Sequence, residues 1–227
     1  MVDRAGIFSN EIFKFFRELG RNNHKSWMDT NRERYKNTVV GPFRALLERL
    51  SPAARKLNPH FATAGRVGEN FSRINRDIRF ARDKSPYRSQ MYLFFTEPHG
   101  EGGQLYVGLS AESVTSGFRI YGGGRTSAVA KLARPRGREN SKWIESQKRR
   151  LGKKYESYWY STEKGEWTKH AGWPVDPENW KKLQGWIVRQ KLTPAAATRG
   201  RFEREIARIF HNMYPLYRFT SSPDWKP

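Results

Sequence analysis

Five arginines and one lysine crowd a single stretch of the chain, FSRINRDIRFARDKSPYRSQMYLFF at residues 71–95: Arg73, Arg76, Arg79, Arg82, Lys84 and Arg88. Asp77 and Asp83 are threaded between them. A guanidinium held by a carboxylate keeps its planar fork of donors in one orientation. Such a fork recognises phosphate or carboxylate through two parallel hydrogen bonds. The residue types therefore point to anion recognition. Read as a strand, residues 71–80 alternate their side chains between two faces. Arg73, Asn75, Asp77 and Arg79 then share one face, while Ile74, Arg76, Ile78 and Phe80 share the other. Asp77 lies between two arginines of its face, which keep its carboxyl ionised. DKSPY at residues 83–87 reads as a turn, because Asp83 can accept backbone N–H bonds from the residues that follow and Pro86 holds Ser85 extended. The predicted anion-binding set is Arg73, Arg76, Arg79, Lys84 and Arg88, oriented by Asp77, Asp83 and Tyr87. The alternative for the same residues is a structural ion-pair network, with the aspartates ordering the arginines and capping the turn.

Other chemistries find less support. The chain has no cysteine, which excludes disulfides, thiolate metal sites and a cysteine nucleophile. His24, His60, His99, His170 and His211 are scattered without the close pairing of a metal-binding helix, so no metal site is predicted. No G-x-S-x-G elbow is present, and no Ser-His-Asp set can be assembled from spacing. No cofactor is expected. Acid–base work by carboxylates would fall to Asp77 and Asp83. Their arginine neighbours keep both ionised, which suits orientation better than proton donation.

The charge balance bears on partners. Lys and Arg number 43 against 22 Asp and Glu, a formal net charge of +21. A surface so basic draws polyanions, so nucleic acid or a phosphorylated ligand is the expected partner; keeping the protein dispersed in solution is the alternative role for that charge. The opening MVDRAGIFSNEIF lacks the long apolar core of a signal peptide, and no apolar run approaches a membrane span, so the expected location is the cytoplasm.

The elements that must position the charged stretch can be read on either side of it. Ser9 is a good N-cap for a helix carrying Ile12, Phe15, Phe16 and Leu19 at helical spacing, with Phe8 stapled towards Phe13 and Gly20 as the stop. Trp27, Asn31 and Tyr35 share a second helical face. Gly41-Pro42 restarts the chain into a third stripe of Phe43, Leu46, Leu47 and Leu50. From about Phe71 the period changes from helical to alternating; Met91 to Phe95 is a short apolar run, followed by Leu105, Val107 and Leu109, then Val114, Phe118 and Ile120. The connections at 97–103 and 111–112 are too short for parallel crossovers, so these strands form an antiparallel meander. The glycine run at 122–124 reads as a tight strand-to-helix turn or as a phosphate cradle. Residues 127–134 and a segment from Ser141 read as helices separated by a solvated, mobile basic loop at 135–138. Residues 155–167 offer edge strands, and Asp176-Pro177 opens a further helix. The last strong helix carries Phe202, Ile206, Ile209, Phe210 and Met213 and ends at Pro215. The expected fold is α+β, an antiparallel sheet flanked by N-terminal and C-terminal helices. It forms a single domain over residues 1–220 with a loosely held tail at 221–227.

RDIRFARDKSPYR at residues 76–88 is similar to the signature of the domain of unknown function 2461 family, common in bacteria, whose pattern runs roughly R-D-x-R-F-x-x-D-K-S-P-Y-K/R. Asn22-Asn23 followed by Trp27, and the glycine run after a strand, are similar to that family too. The chain departs from it after Gly124, where Arg125-Thr126-Ser127 replaces an aromatic-and-proline segment. The resemblance implies relatives and carries no activity with it. Three readings stay open: an anion-binding protein; an enzyme whose Arg76, Arg79 and Lys84 orient an anionic substrate for Asp77 or His24; and a structural or partner-binding domain.

Overall fold

The computed structural model describes residues 6–98, 102–122 and 124–227. His99, Gly100 and Glu101 of the expected 97–103 connection, and Gly123 of the glycine run, lie outside the described residues. Ser9 caps α1 (Asn10–Arg21), its Oγ accepting the Glu11 N–H at 3.3 Å. Ile12, Phe15, Phe16 and Leu19 are fully buried along one stripe of that helix. Asn22 closes it, donating from both its backbone N–H and its Nδ2 to the Glu18 carbonyl at 3.0 and 2.9 Å. Two short helices follow, α2 (Lys25–Thr30) and α3 (Arg32–Tyr35). A π-type turn at Lys36–Val40 then feeds directly into α4 (Gly41–Leu57), with Pro42 in its first turn. Phe8 packs edge-on to Phe43 at 5.3 Å and to Phe202 at 5.8 Å.

The strands are β1 (Gln90–Phe95), β2 (Gln104–Ser110) and β3 (Val114–Tyr121), which form the expected meander, followed by β4 (Glu156–Glu163), β5 (Glu166–Ala171) and β6 (Gly185–Leu192). Together they make one open antiparallel sheet in the order β1-β2-β3-β6-β4-β5. Between β3 and β4 run α5 (Arg134–Glu139) and α6 (Ser141–Leu151); α7 (Pro177–Lys182) precedes β6, and α8 (Pro194–Ala197) and α9 (Phe202–Ser221) close the chain. The fold is α+β, with helices at both ends as the sequence implies. Contacts divide the chain into two compact units. One is Met1–Phe95, Val107–Thr115 and Leu192–Ala207; the other is Thr96–Tyr106, Ser116–Lys191 and Arg208–Pro227. Among the described residues, no helix is long and apolar enough to cross a membrane.

Two expectations need correcting, and one strand was not anticipated. The basic segment 135–138 is helical, not a solvated loop. Pro135 falls in the first turn of α5, where its missing N–H costs nothing. Arg134 Nε donates to the Leu183 carbonyl at 2.8 Å, and Arg136 reaches the Phe219 and Pro223 carbonyls at 2.8 and 3.0 Å. Arg134 thus closes the end of α7 and Arg136 the end of α9. Pro215 does not end α9, which runs six residues further because Leu216, Tyr217 and Phe219 beyond it are buried. The sequence reading assigns no strand to β6, where Gly185, Trp186, Ile187 and Val188 are all buried. Four apolar residues cut short by Arg189 are too few to distinguish an interior strand from the end of a helix. In the tail, Trp225 lies edge-on to Phe219 at 4.9 Å and to Trp143 at 5.3 Å.

Ser127 closes the segment that follows β3, bonding to both described glycines of the run. The Ser127 hydroxyl donates to the Gly122 and Gly124 carbonyls at 3.2 and 2.7 Å and accepts the Ala130 N–H at 3.3 Å. A Cβ on Gly122 would lie 2.7 Å from that of Ser127, so only glycine lets the serine close in.

Candidate anion-binding cleft

Residues 70–94 fold back on themselves as an irregular hairpin. Asn70, fully buried, donates to the Ala62 and Phe94 carbonyls at 2.8 and 3.1 Å and accepts the Gly65 N–H at 2.9 Å. From that anchor, backbone bonds run Phe94 N–H to Asn70, Ser72 N–H to Tyr92, Arg88 N–H to Ile74 and Arg76 N–H to Pro86. Residues 71–80 therefore do not form the expected strand and touch their partner only at isolated bridges, Phe71 to Leu93 and Asn75 to Tyr87. The reason is a shortage of donors. Pro86 has no N–H to return, and the Arg79 N–H is taken by the Asp77 carboxylate at 3.2 Å. The alternation of faces survives over residues 73–79: Ile74 is buried and Arg76 and Ile78 are half-buried, while Arg73, Asn75, Asp77 and Arg79 are exposed. Phe80 breaks it, at 95% exposure.

Asn23, just beyond α1, ties this hairpin down. Its Nδ2 donates to the Tyr87 carbonyl at 2.9 Å and its Oδ1 accepts the Tyr87 N–H at 3.0 Å, so the amide stands in for a neighbouring strand. The Tyr87 side chain is buried, which makes it an anchor for the turn. The result is a polar cleft of about 400 Å³ within the first unit, lined by Gly20 and Asn23 on one side and by Arg76, Asp83, Ser85, Tyr87, Arg88, Ser89 and Gln90 on the other.

Each predicted side chain has a definite place. Arg76 pairs with Asp83 and donates to the Ser85 carbonyl at 3.2 Å, which fixes its fork at the cleft wall. Asp83 also accepts the Ser85 N–H at 2.9 Å, as the turn reading requires. Hydrogen bonds from Ser85 first, and then the Arg76 guanidinium, hold its carboxyl down at about 2. Arg88 lines the same cleft, and among the described residues nothing pairs with its guanidinium. Two guanidiniums against one carboxylate leave the cleft with a positive charge in excess.

Arg73, Asp77, Arg79 and Lys84 do not line the cleft. Arg79 is locked to Asp77 by paired bonds of 3.0 and 2.7 Å, which lower the aspartate's pKa and raise the arginine's. Lys84 Nζ donates to the Ile78 and Arg79 carbonyls at 3.0 and 3.4 Å and closes the loop tip. His24 is the N-cap of α2, its Nδ1 accepting the Trp27 N–H at 3.3 Å, and it too stands off the cleft. Asn23, Ser85, Ser89 and Gln90 were not in the predicted set. The doubled asparagine behind α1 signals a turn, but nothing local announces a partner as distant as Tyr87.

A second polar cluster also forms. Ser161 Oγ lies 2.8 Å from His170 Nε2 and donates to Glu163 Oε1 at 3.2 Å. The carboxylate faces the same ring nitrogen as the serine, at 3.6 Å, so it cannot orient the imidazole from the far side. Ser161 is fully buried as well, which leaves the hydroxyl no substrate to attack. Among the described residues, no three His, Cys, Asp or Glu side chains gather where they could hold a metal ion.

The family described as "Conserved hypothetical protein (DUF2461)" matches the chain over residues 11–219. The curated proteins contain no match to it.

Proposed function

From the premise that the chain belongs to the DUF2461 family, whose description names no activity, we propose that it binds a phosphorylated small ligand in the Arg76–Arg88 cleft. One observation carries this reading: Arg88, whose guanidinium has no partner among the described residues, lines the same cleft as Arg76, whose fork is already fixed. A phosphate between them gains charge-assisted hydrogen bonds without first ordering Arg76. The volume of about 400 Å³ falls at the small end of ligand pockets, which favours a compact ligand over a strand of nucleic acid at this place. Ser85, Ser89 and Gln90 supply neutral polar groups for the rest of it. Arg73, outside the cleft, adds long-range attraction.

Among the described residues of the cleft wall, Asp83 is the carboxylate available for proton transfer, and its state suits binding better than catalysis. Asp83, with its carboxyl near 2, stays ionised there and can neither donate a proton nor readily accept one. Isothermal titration with inorganic phosphate and pyrophosphate tests the proposal. Wild-type protein should bind pyrophosphate. Arg88→Ala should weaken that binding about ten- to a hundredfold, the scale of a lost charge-assisted contact, and Arg88→Lys should restore part of it. Equal affinity in wild type and Arg88→Ala, or no binding of either probe, would overturn it.

A further inference from the structure

The second unit carries a different kind of surface. The pairing of β4 with β5 sets Tyr160 opposite Lys169 and Thr162 opposite Trp167, and that of β4 with β6 sets Tyr158 opposite Ile187 and Glu156 opposite Arg189. Directly opposed residues share a face of an antiparallel sheet. Tyr158, Tyr160, Trp167, Lys169 and Arg189 therefore all project from one side. Tyr121 of β3 joins them, its ring centroid 6.1 Å from Tyr160 and 6.2 Å from Trp167, with Tyr160 and Trp167 5.7 Å apart. Trp167 is 53% exposed and Tyr121 42%. The opposite side holds the buried rings: Phe118, Trp159 and Trp186.

Cations are set among these rings. Lys169 Nζ stands 4.0 Å above Tyr158, Arg189 5.0 Å from the same ring, and Arg119 5.9 Å from Tyr121. The carboxylate on this side, Glu156, is occupied by Arg189 and Lys191 at 3.2 and 3.0 Å. Strand alternation turns Glu163 and Glu166 to the other side. Cross-strand aromatic pairs alone stabilise a sheet. That role asks for covered rings, whereas here the two outermost are among the most exposed large apolar side chains in the chain.

We infer that this sheet face binds single-stranded nucleic acid, with bases stacking on Trp167 and Tyr121 while Lys169, Arg119 and Arg189 meet the phosphates. The two needs of an unpaired strand are both present: open π surface for bases and fixed cations beside it for the backbone. Charge complementarity selects this occupant over an apolar protein partner, since the chain carries a net charge of +21. The site is independent of the Arg76–Arg88 cleft and extends beyond the ligand proposed there.

Fluorescence anisotropy of a labelled oligothymidylate, titrated with the full chain over a range of salt, tests it. Because so basic a protein will hold any polyanion weakly, the decisive comparisons are between variants and between strands. Trp167→Ala should weaken binding about tenfold, the scale of one lost stacked base. Trp167→Phe should keep most of the affinity, which separates stacking from misfolding. Lys169→Ala should reduce the slope of log affinity against log salt by about one. A duplex of the same length, its bases already stacked, should bind more weakly than the single strand. Wild-type affinity in Trp167→Ala, or equal affinity for duplex and single strand, would overturn the inference, as would failure to bind oligothymidylate at low salt.

Discussion

Asp83 does two jobs with one carboxylate. It caps the turn through the Ser85 N–H and restrains Arg76 at the cleft wall. Both interactions need the ionised form, which is why the folded carboxyl titrates at about 2 instead of near its ordinary 3.8. A pKa depressed by folding contributes stability that is fully present above the unfolded value and lost as pH falls through the folded one. For Asp83 that window runs from about 4 down to about 2. Asp83→Asn keeps the size of the side chain and removes the titration. Thermal midpoints of wild type and Asp83→Asn should therefore differ by a constant amount above pH 4 and converge between pH 4 and pH 2. The other carboxylates titrate in both proteins and cancel from the difference. Parallel curves throughout that range would mean that Asp83 is not held in the turn. Asp77 is depressed as well, through Arg79, but that pair is exposed and stands off the cleft, so it orders the loop tip without shaping the site.

At the scale of elements, α5 shows why part of the architecture is legible and part is not. A proline and a glycine within six residues read locally as a loop, yet Gly137 is what lets the helix lie against α7. A Cβ there would stand 1.9 Å from the indole of Trp180, which is fully buried and edge-on to Trp186 at 5.4 Å and Phe219 at 5.8 Å. Two effects oppose each other in Gly137→Ala. Alanine gains about 1 kcal/mol of helix propensity, while overpacking against a ring held on several sides costs about 1–3 kcal/mol. The clash is with the centre of a rigid indole, so the upper part of that range applies and the variant should lose about 2 kcal/mol in chemical denaturation. A more stable Gly137→Ala would show that Trp180 has room to move. The same distinction separates the rest of the fold. The Ser9 cap and the Ile12–Leu19 stripe, the alternation in β2 and β3 and the Asp83 turn are set by neighbours in sequence, and their residue patterns announce them. The Asn23 clamp on Tyr87, the arginine caps on the ends of α7 and α9 and the burial of β6 depend on partners far along the chain, and a side chain carries no local mark of such a partner. The residues proposed to bind an anion fall between these cases. Their types were legible, but the ladder that admits Arg76 and Arg88 to the cleft and leaves Arg73 and Arg79 outside depends on Pro86 and Asp77 withholding their bonds.

At the scale of the whole molecule, the excess of cations outweighs local pairing. With 43 Lys and Arg against 22 Asp and Glu, about half the cations would lack a carboxylate even if every acid were paired. The pairs that do form are mostly exposed. Lys36 with Glu33, Arg79 with Asp77 and Arg218 with Asp224 all keep more than two-fifths of each side chain in water. Exposed pairs of this kind each contribute about 0–1 kcal/mol. Repulsion among the unmatched cations, by contrast, acts over the whole surface and disfavours the compact state. Salt screens both, with a Debye length that falls from about 30 Å at 0.01 M to about 8 Å at 0.15 M. The longer-range repulsion is relieved more than the contact pairs are weakened. The thermal midpoint should therefore rise as sodium chloride increases over that range, by about 2–4 °C if the relief amounts to about 1 kcal/mol at this chain length. Pyrophosphate at matched ionic strength should raise it further in wild type than in Arg88→Ala, because specific binding adds to screening. A midpoint that falls with sodium chloride would instead place the balance with the ion pairs, and the arginine-rich hairpin would then have to be regarded as a brace for the fold before it is regarded as a binding site.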